Sequence, residues 1–451
     1  MLNVNDVIQE LYRLFIKGSS SNIHRVGVEL ELPIVNKDGD YTRECTLELI
    51  DFIKNNLGFD EVKPSATQFK HETESDCISF EYSSNTIEFS MEKSDSLLKI
   101  KKRFSEYYDA LQDFLSTKNF TLLGSGLHPH WHVINTNPLP QCYYTMIKHH
   151  LAQGDRISRF HNHSDFCAYT CAVQTHLDIN QDLPKLLNFY SFISAIKGFV
   201  FSNSVNLSQT NDFQNLACAR DYLWWHSMFA YFPENIGYYK NINTTADIVN
   251  SMLERSMHYI YRNGMLYYTG CHKLSDYFSK NTINGYDLVT GRQITISPCL
   301  EDLQFFRSYK AIEITKRGTI EIRDDCMQPV YDAFAPSAFN LGISEMLPEA
   351  CMLAKETARE LGLNLYDFMP NRVLTTSLSA VDDMDKSQQD KWRRYCEQFF
   401  LLAKQGLCKR NKGEEILLDN VLERKNILEN PAVMLYKKRL NPIELNNFRG
   451  K

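Results

Sequence analysis

The sequence predicts an α+β fold, strands mixed with helices and followed by a helical C-terminal tail. Three observations lead there. First, strand-like segments in which carboxylates alternate with apolar residues recur far apart, at Val28-Glu29-Leu30-Glu31-Leu32, Phe80-Glu81-Tyr82, Ile87-Glu88-Phe89 and Ile320-Glu321-Ile322-Arg323. Second, segments of helical period lie between these strands, so the chain is mixed α and β. Third, residues after about 335 are mostly helical in pattern.

Taken in order, residues 4–17 have helical spacing, with Val7, Ile8, Leu11, Leu14 and Phe15 on one side, and Gly18-Ser19-Ser20-Ser21 forms a linker into the first acidic strand. Successive strand side chains point to opposite faces, so Glu29 and Glu31 share one face while Val28, Leu30 and Leu32 pack on the other. Glu321 and Arg323 likewise share a face opposite Ile320 and Ile322. Residues 46–56 and 94–116 read as helices, the second with Leu97, Ile100, Phe104, Tyr107, Leu111 and Phe114 in its core-facing stripe. A strand is expected near Thr121-Leu122-Leu123, and helices across 143–151 and 183–202. Between these helices lies a polar-faced strand, Val173-Gln174-Thr175-His176-Leu177-Asp178, whose Gln174, His176 and Asp178 project together for ligand or metal contact. Residues 281–298 read as turns and short strands, and 309–323 as a strand pair turned at Lys316-Arg317-Gly318. Residues 382–386 break the chain before a charged helical tail.

The composition is that of a folded enzyme: 451 residues, 43% hydrophobic and 23% charged, enough for a large core. The net charge of -6 provides no broad basic field, which argues against general nucleic-acid binding and makes any phosphate chemistry focal. No apolar run approaches the length needed to cross a bilayer, so no membrane partner is expected. The start Met1-Leu2-Asn3-Val4-Asn5-Asp6 lacks a basic stretch before an apolar one, so a cytoplasmic location is expected. Twelve scattered cysteines fit reduced thiols better than a disulfide framework.

An acidic sheet face repels itself unless cations sit in it. Hard divalent ions take oxygen ligands, and magnesium uses a few carboxylates together with the phosphates of its substrate, so a nucleotide-using site follows. The bland alternative for each carboxylate is the solvated face of a half-buried sheet. His128, His130 and His132 match no common zinc spacing, and Cys167 and Cys171 lack a second pair to close a structural site, so both groups read as positioning and packing residues. No GxxxxGK loop followed by Ser or Thr, no GxGxxG after a strand and no nucleophile elbow is present, so ATP would be held by another architecture.

These segments carry a family resemblance. Val26-Gly27-Val28-Glu29-Leu30-Glu31 resembles the opening G-V-E-x-E strand of glutamate–cysteine ligases, and Asn85-Thr86-Ile87-Glu88-Phe89-Ser90 is similar to their second acidic strand. Leu122-Leu123-Gly124-Ser125-Gly126-Leu127-His128-Pro129 resembles a loop of the plant and bacterial branch, Ala172 to Asp178 its T-V-Q-V-N-L-D strand, and Gly318-Thr319-Ile320-Glu321-Ile322-Arg323-Asp324 its late E-x-R strand. All five matches occur in the expected order over about residues 24 to 330.

The resemblance implies a glutamine-synthetase-like curved, largely antiparallel sheet flanked by helices over residues 1–380, its concave face holding ATP, magnesium and glutamate, with 381–451 a helical extension packed on the core. It further implies that Glu29, Glu31, Glu81, Glu88 and Glu321 are metal ligands, Glu321 and Arg323 catalytic groups at the transferred phosphate, Gln174, His176 and Arg323 nucleotide contacts, and Arg220 a ligand for the substrate carboxylate. His176 replaces the Asn of the plant-type motif. The implied activity is ATP-dependent formation of γ-glutamylcysteine from L-glutamate and L-cysteine through γ-glutamyl phosphate. The alternatives are a carboxylate–amine ligase with another acceptor, a non-catalytic ligand-binding homologue, and a metal-dependent hydrolase using the same carboxylates. Small molecules are the expected partners.

Overall fold

The computed structural model describes residues 3–16, 24–62, 67–179, 182–208, 210–365, 367–440 and 443. The linker Gly18–Ser21, the last position of the first expected helix, Lys17, and the start Met1-Leu2 lie outside the described residues. The first helix is α1 (Val4–Phe15), which buries Val7, Leu11, Leu14 and Phe15 and is capped by the Asn3 side chain accepting from the Asn5 N–H at 3.0 Å. Next come β1 (Val26–Asn36), α2 (Thr46–Asn56), β2 (Phe59–Glu61), β3 (Gln68–His71), β4 (Cys77–Phe80) and β5 (Thr86–Ser94). They are followed by α3 (Leu97–Thr117), β6 (Phe120–Leu122), α4 (Cys142–Ala152), β7 (Ala172–Asp178), α5 (Leu183–Phe201), α6 (Ala219–Trp225), β8 (Ile236–Gly237) and α7 (Thr245–Leu253). Then come β9 (Ser256–Arg262), β10 (Met265–Lys273), α8 (Leu274–Ser279), β11 (Ile283–Tyr286), β12 (Gln293–Ile296), β13 (Tyr309–Lys310), β14 (Ile312–Ile314) and β15 (Thr319–Cys326). The rest is helical: α9 (Ala335–Ser344), α10 (Leu347–Leu361), α11 (Phe368–Thr375), α12 (Lys386–Arg410), α13 (Asp419–Leu422) and α14 (Pro431–Lys438).

Among the described residues, nine strands form the main sheet, in the order β14-β15-β7-β1-β5-β4-β3-β2 with β6 on β1, and all its pairings are antiparallel. Residues opposite one another across an antiparallel pair share a face, so the register sorts the sheet into rows. The apolar rows run Ile312–Ile322–Thr175–Val28 and Leu30–Phe89–Ile78–Phe69, and they pack against α3, α5 and α9. Thr175 is the polar exception: its Oγ1 shares a hydrogen bond with Ser337 Oγ at 2.9 Å and accepts one from Asn340 Nδ2 at 3.2 Å, pinning α9 to β7. The opposite rows run Glu313–Glu321–His176, Gln174–Glu29–Ser90 and Glu31–Glu88–Ser79. The alternation read from the sequence thus becomes one acidic face across adjacent strands.

A second antiparallel sheet, β12-β11-β10-β9, packs against α4. The strand pair expected over 309–323 forms only in part. Ile312–Ile314 pairs with β15 around the Lys316-Arg317-Gly318 turn, but Tyr309 and Lys310 pair in parallel with β8 instead. The expected break at 382–386 is an N-terminal cap: Asp385 and Gln388 exchange hydrogen bonds at 2.8 and 3.1 Å, and α12 starts there. α12 lies against α9 at backbone contact, for a Cβ on Gly406 would come within 1.9 Å of the Gly342 carbonyl oxygen. Among the described residues no helix is long and apolar enough to cross a membrane.

Candidate functional site

Two clusters of potential ligands stand side by side on the acidic face. Glu29, His176 and Glu321 come from the adjacent strands β1, β7 and β15, and Glu31, Glu81 and Glu88 from β1 and the β4–β5 hairpin; within each group the candidate ligand atoms all lie within 4.8 Å of one another. The pairings Glu31–Glu88 and Glu321–His176 place these residues directly opposite one another. Glu81 arrives differently, from the hairpin that joins β4 to β5. Its carbonyl accepts from Ser83 N–H at 2.6 Å and Thr86 Oγ1 at 2.7 Å, while Tyr82 beside it takes a left-handed φ of 57°, a strained choice for a bulky residue. The tight turn brings Glu81 to Glu31 and Glu88.

The two groups differ electrostatically. Burial pushes the Glu31 carboxyl up to about 8, with the Glu81 charge adding to it, against hydrogen bonds that Glu31 accepts from Ala172 N–H at 2.7 Å and Gln174 Nε2 at 2.6 Å. Burial, followed by the charge of Glu81, raises Glu88 well above the usual carboxylate range. At Glu321 burial acts in the same upward direction, yet Arg323 and His176 overcome it and hold the carboxyl at about 2. Burial alone would depress His176, but the charge of Glu29 and a hydrogen bond to it at 3.0 Å raise its pKa. One group is therefore balanced by internal cations, and the other is a knot of like charges. Both donor sets are rich in carboxylate oxygen, the kind that suits hard divalent cations.

The five carboxylates Glu29, Glu31, Glu81, Glu88 and Glu321 line a cavity of about 700 Å³, within the range of small-molecule sites. Cationic groups surround its acidic floor. Arg323 Nε donates to Glu321 at 3.0 Å and its Nη2 to Gln174 Oε1 at 3.4 Å, so the fork is oriented over the carboxylates. Arg220, at the start of α6, is only 7% exposed, and its Nε has no hydrogen-bond partner among the described residues. Its guanidinium stands 5.7 Å from the Trp224 ring. A buried guanidinium in the lining of the cavity is equipped for an anionic ligand. Arg307, stacked 5.1 Å from the Tyr143 ring, joins Lys316 and Arg317 in the lining, and Arg317 reaches to 3.9 Å from Glu29.

The structure brings together Glu29, Glu31, Glu81, Glu88, Gln174, His176, Arg220, Glu321 and Arg323. Asp178 is not among them. Although its strand was expected to offer it to a ligand, its carboxylate pairs with Lys93 at 3.1 Å and Arg25 at 3.4 Å and is buried. Gln174 spends its amide on Glu31 and Arg323, and His176 joins a carboxylate group, so both act first on protein neighbours. His128 is buried, with Nε2 3.2 Å from the Ile34 carbonyl oxygen, and the described residues show no metal-ligating group around the three loop histidines. Sequence reasoning passed over Arg307 and the aromatic wall of Tyr143, Tyr144, Tyr259 and Tyr261. Lys316 and Arg317 carried a signal, two cations at the tip of the hairpin that bears Glu321. Arg307 carried none.

Residues 25–204 match the family Glutamate-cysteine ligase family 2 (GCS2), which bears out the resemblance read from the sequence. A glutamate–cysteine ligase of Francisella tularensis, solved in complex with AMP, is similar in structure at a TM-score of 0.47 and 14% identity, covering 96% of this chain and 88% of that one. A bifunctional glutathione synthetase of Pasteurella multocida is similar at 0.40 and 10% identity, covering 97% of this chain; the present chain spans 54% of that protein. No curated protein matches the chain in sequence.

Proposed function

We propose that this chain, whose residues 25–204 fall in glutamate–cysteine ligase family 2, is an ATP-dependent ligase. It joins the γ-carboxylate of L-glutamate to an amine, with L-cysteine the leading acceptor and γ-glutamylcysteine the product. The observation that carries this reading is the grouping of Glu29–His176–Glu321 and Glu31–Glu81–Glu88, whose carboxylates line one cavity together with Arg220 and Arg323. In the same reading residues 1–380 form the catalytic unit and 381–451 a helical extension, supported by the packing of α12 on α9.

A carboxylate is a poor acylating agent, so glutamate must first take the terminal phosphoryl group of ATP and become γ-glutamyl phosphate, which an amine can attack. Magnesium, when bound by these carboxylates, would offset the charge of the triphosphate. Arg323, its fork set by Glu321 and Gln174, is placed to pair with oxygens of the transferred group, and Arg220, in the lining, is placed for a carboxylate of glutamate. An acyl phosphate is lost to water, and Tyr143, Tyr259 and Tyr261 give the cavity an aromatic side. Holding glutamate in line with the triphosphate contributes up to roughly 7–11 kcal/mol in well-organised sites.

The test incubates the purified protein with magnesium, ATP, glutamate and a panel of amines, and identifies the product by mass spectrometry. ADP release that depends on both glutamate and cysteine, with γ-glutamylcysteine formed, is the expected result. Release with another amine would move the acceptor assignment, and no nucleotide turnover with any acceptor would overturn the ligase reading.

A further inference from the structure

Behind the acidic face, on the side of the helices, one guanidinium ties together the segments that carry the two cavity arginines. Arg372, on α11, is fully buried. Its Nε donates to Asp221 Oδ2 at 2.8 Å, its Nη1 to the Ser194 carbonyl at 2.7 Å and its Nη2 to the Asp324 carbonyl at 2.8 Å. Asp221 follows Arg220 in α6, and Asp324 follows Arg323 in β15. The register of β15 against β7 shifts between Ile322 and Asp325, so the stretch that holds Arg323 and Asp324 departs from the regular ladder. Arg372 gives the Asp324 carbonyl a donor there.

The helix that carries Arg372 is itself fixed. A Cβ on Gly198 of α5 would come within 2.1 Å of Thr375 Oγ1, so α5 and α11 touch at that glycine. Just beyond α11, the Thr376 carbonyl accepts from Ala217 N–H at 2.8 Å, at the approach to α6. Lys197 adds a second buried cation, paired with Asp324 and with Asp325 at 3.0 Å. An Arg fork presents its donors in one plane at fixed angles, and a lysine cannot reproduce three contacts of this kind.

We propose that Arg372 is a positioning residue: it fixes the spacing between Arg220 and Arg323, and with it the alignment of the glutamate carboxylate against the transferred phosphoryl group. This rests on the ligase reading above. Arg372 is not among the residues that line the cavity. Its loss should lower turnover and let the activated carboxyl meet water instead of the amine.

The test compares the wild-type protein, Arg372→Lys, and the Asp221→Asn/Arg372→Gln double variant, which leaves no buried charge unpaired. Melting, kcat, the KM for glutamate, and the ratio of ADP released to amide formed are measured for each. A folded variant with kcat lower by about 10- to 100-fold and a raised ADP-to-amide ratio supports the assignment. A purely structural role would reduce the folded fraction and leave that ratio and the KM as in the wild type. Folded variants with wild-type kinetics overturn the proposal, as does failure of both variants to fold. If the wild-type protein turns over no nucleotide, the ligase reading fails instead. Arg372 is then judged by calorimetry with magnesium and a non-hydrolysable ATP analogue: tenfold weaker binding by Arg372→Lys supports its role, and equal binding overturns it.

Discussion

Glu321 combines two duties that are separable by substitution. It belongs to the Glu29–His176–Glu321 group and also fixes the Arg323 fork. Glu321→Gln keeps the shape but removes the charge, and is expected to reduce turnover by at least about a hundredfold while the protein still melts cooperatively. Steady-state kinetics with ADP detection checks this, and normal turnover would remove Glu321 from the site. Arg323→Lys retains a charge but loses the bidentate geometry, with an expected fall in kcat of about 10²–10³ and a smaller change in melting temperature. At this scale the sequence was most legible where a residue's role follows from strand alternation, as for Glu29, Glu31, Glu88 and Glu321. It was least legible where chain-distant groups decide the outcome. Asp178 has the alternation of its neighbours, yet Lys93 and Arg25 claim its carboxylate. Arg372 sits in an unremarkable helix, and its partners lie 48 to 178 positions away.

The elements show the same division. β1, β5, β7 and β15 announce themselves because one face is polar and the other apolar. β9 is buried at its first five positions, so Ser256–Arg262 carries no alternation, and the sequence suggests only a mixed region there. The α9–α12 contact was equally silent, since a glycine in a helix says nothing about what approaches it. Gly406 and Gly342 face each other so closely that each Cβ would run into the partner's backbone, at Gly342 O and at Ala403 O, 2.2 Å away. α9 is also bonded to β7 through Ser337 and Asn340. Gly406→Ala therefore forces α12 away from the layer that backs the acidic face. The intrinsic helix preference for alanine, about 1 kcal/mol, is outweighed by overpacking of about 1–3 kcal/mol or more. Chemical denaturation should show a lower midpoint for Gly406→Ala than for the wild type. An unchanged or raised midpoint would mean that α12 adjusts without strain.

For the molecule as a whole, the acidic face sets a conflict between stability and function that pH and cations should reveal. Without a cation, the Glu31 carboxyl sits at about 8 in the folded protein, against an ordinary value of 4.5. Between those values the folded state keeps a proton that the unfolded chain has released. Stability is thus greatest below about pH 4.5 as far as this group is concerned, falls as pH rises through the window, and levels off above about 8. Glu88, shifted in the same direction, adds to the slope. Glu31→Gln removes the ionisation of Glu31 and keeps the shape and one of the two acceptor oxygens, enough for one of the donors Gln174 Nε2 and Ala172 N–H. In chelator, the wild-type melting temperature should therefore drop more steeply from pH 5 to 8 than that of Glu31→Gln. The variant should be the more stable of the two at pH 8 and the less active. Adding magnesium at pH 8 should raise the wild-type melting temperature, because ligand binding to the folded state alone stabilises it, and should do little for the variant. Parallel pH profiles for the two proteins in chelator, with equal responses to magnesium, would show that Glu31 carries no such ionisation and would take it out of the cation site.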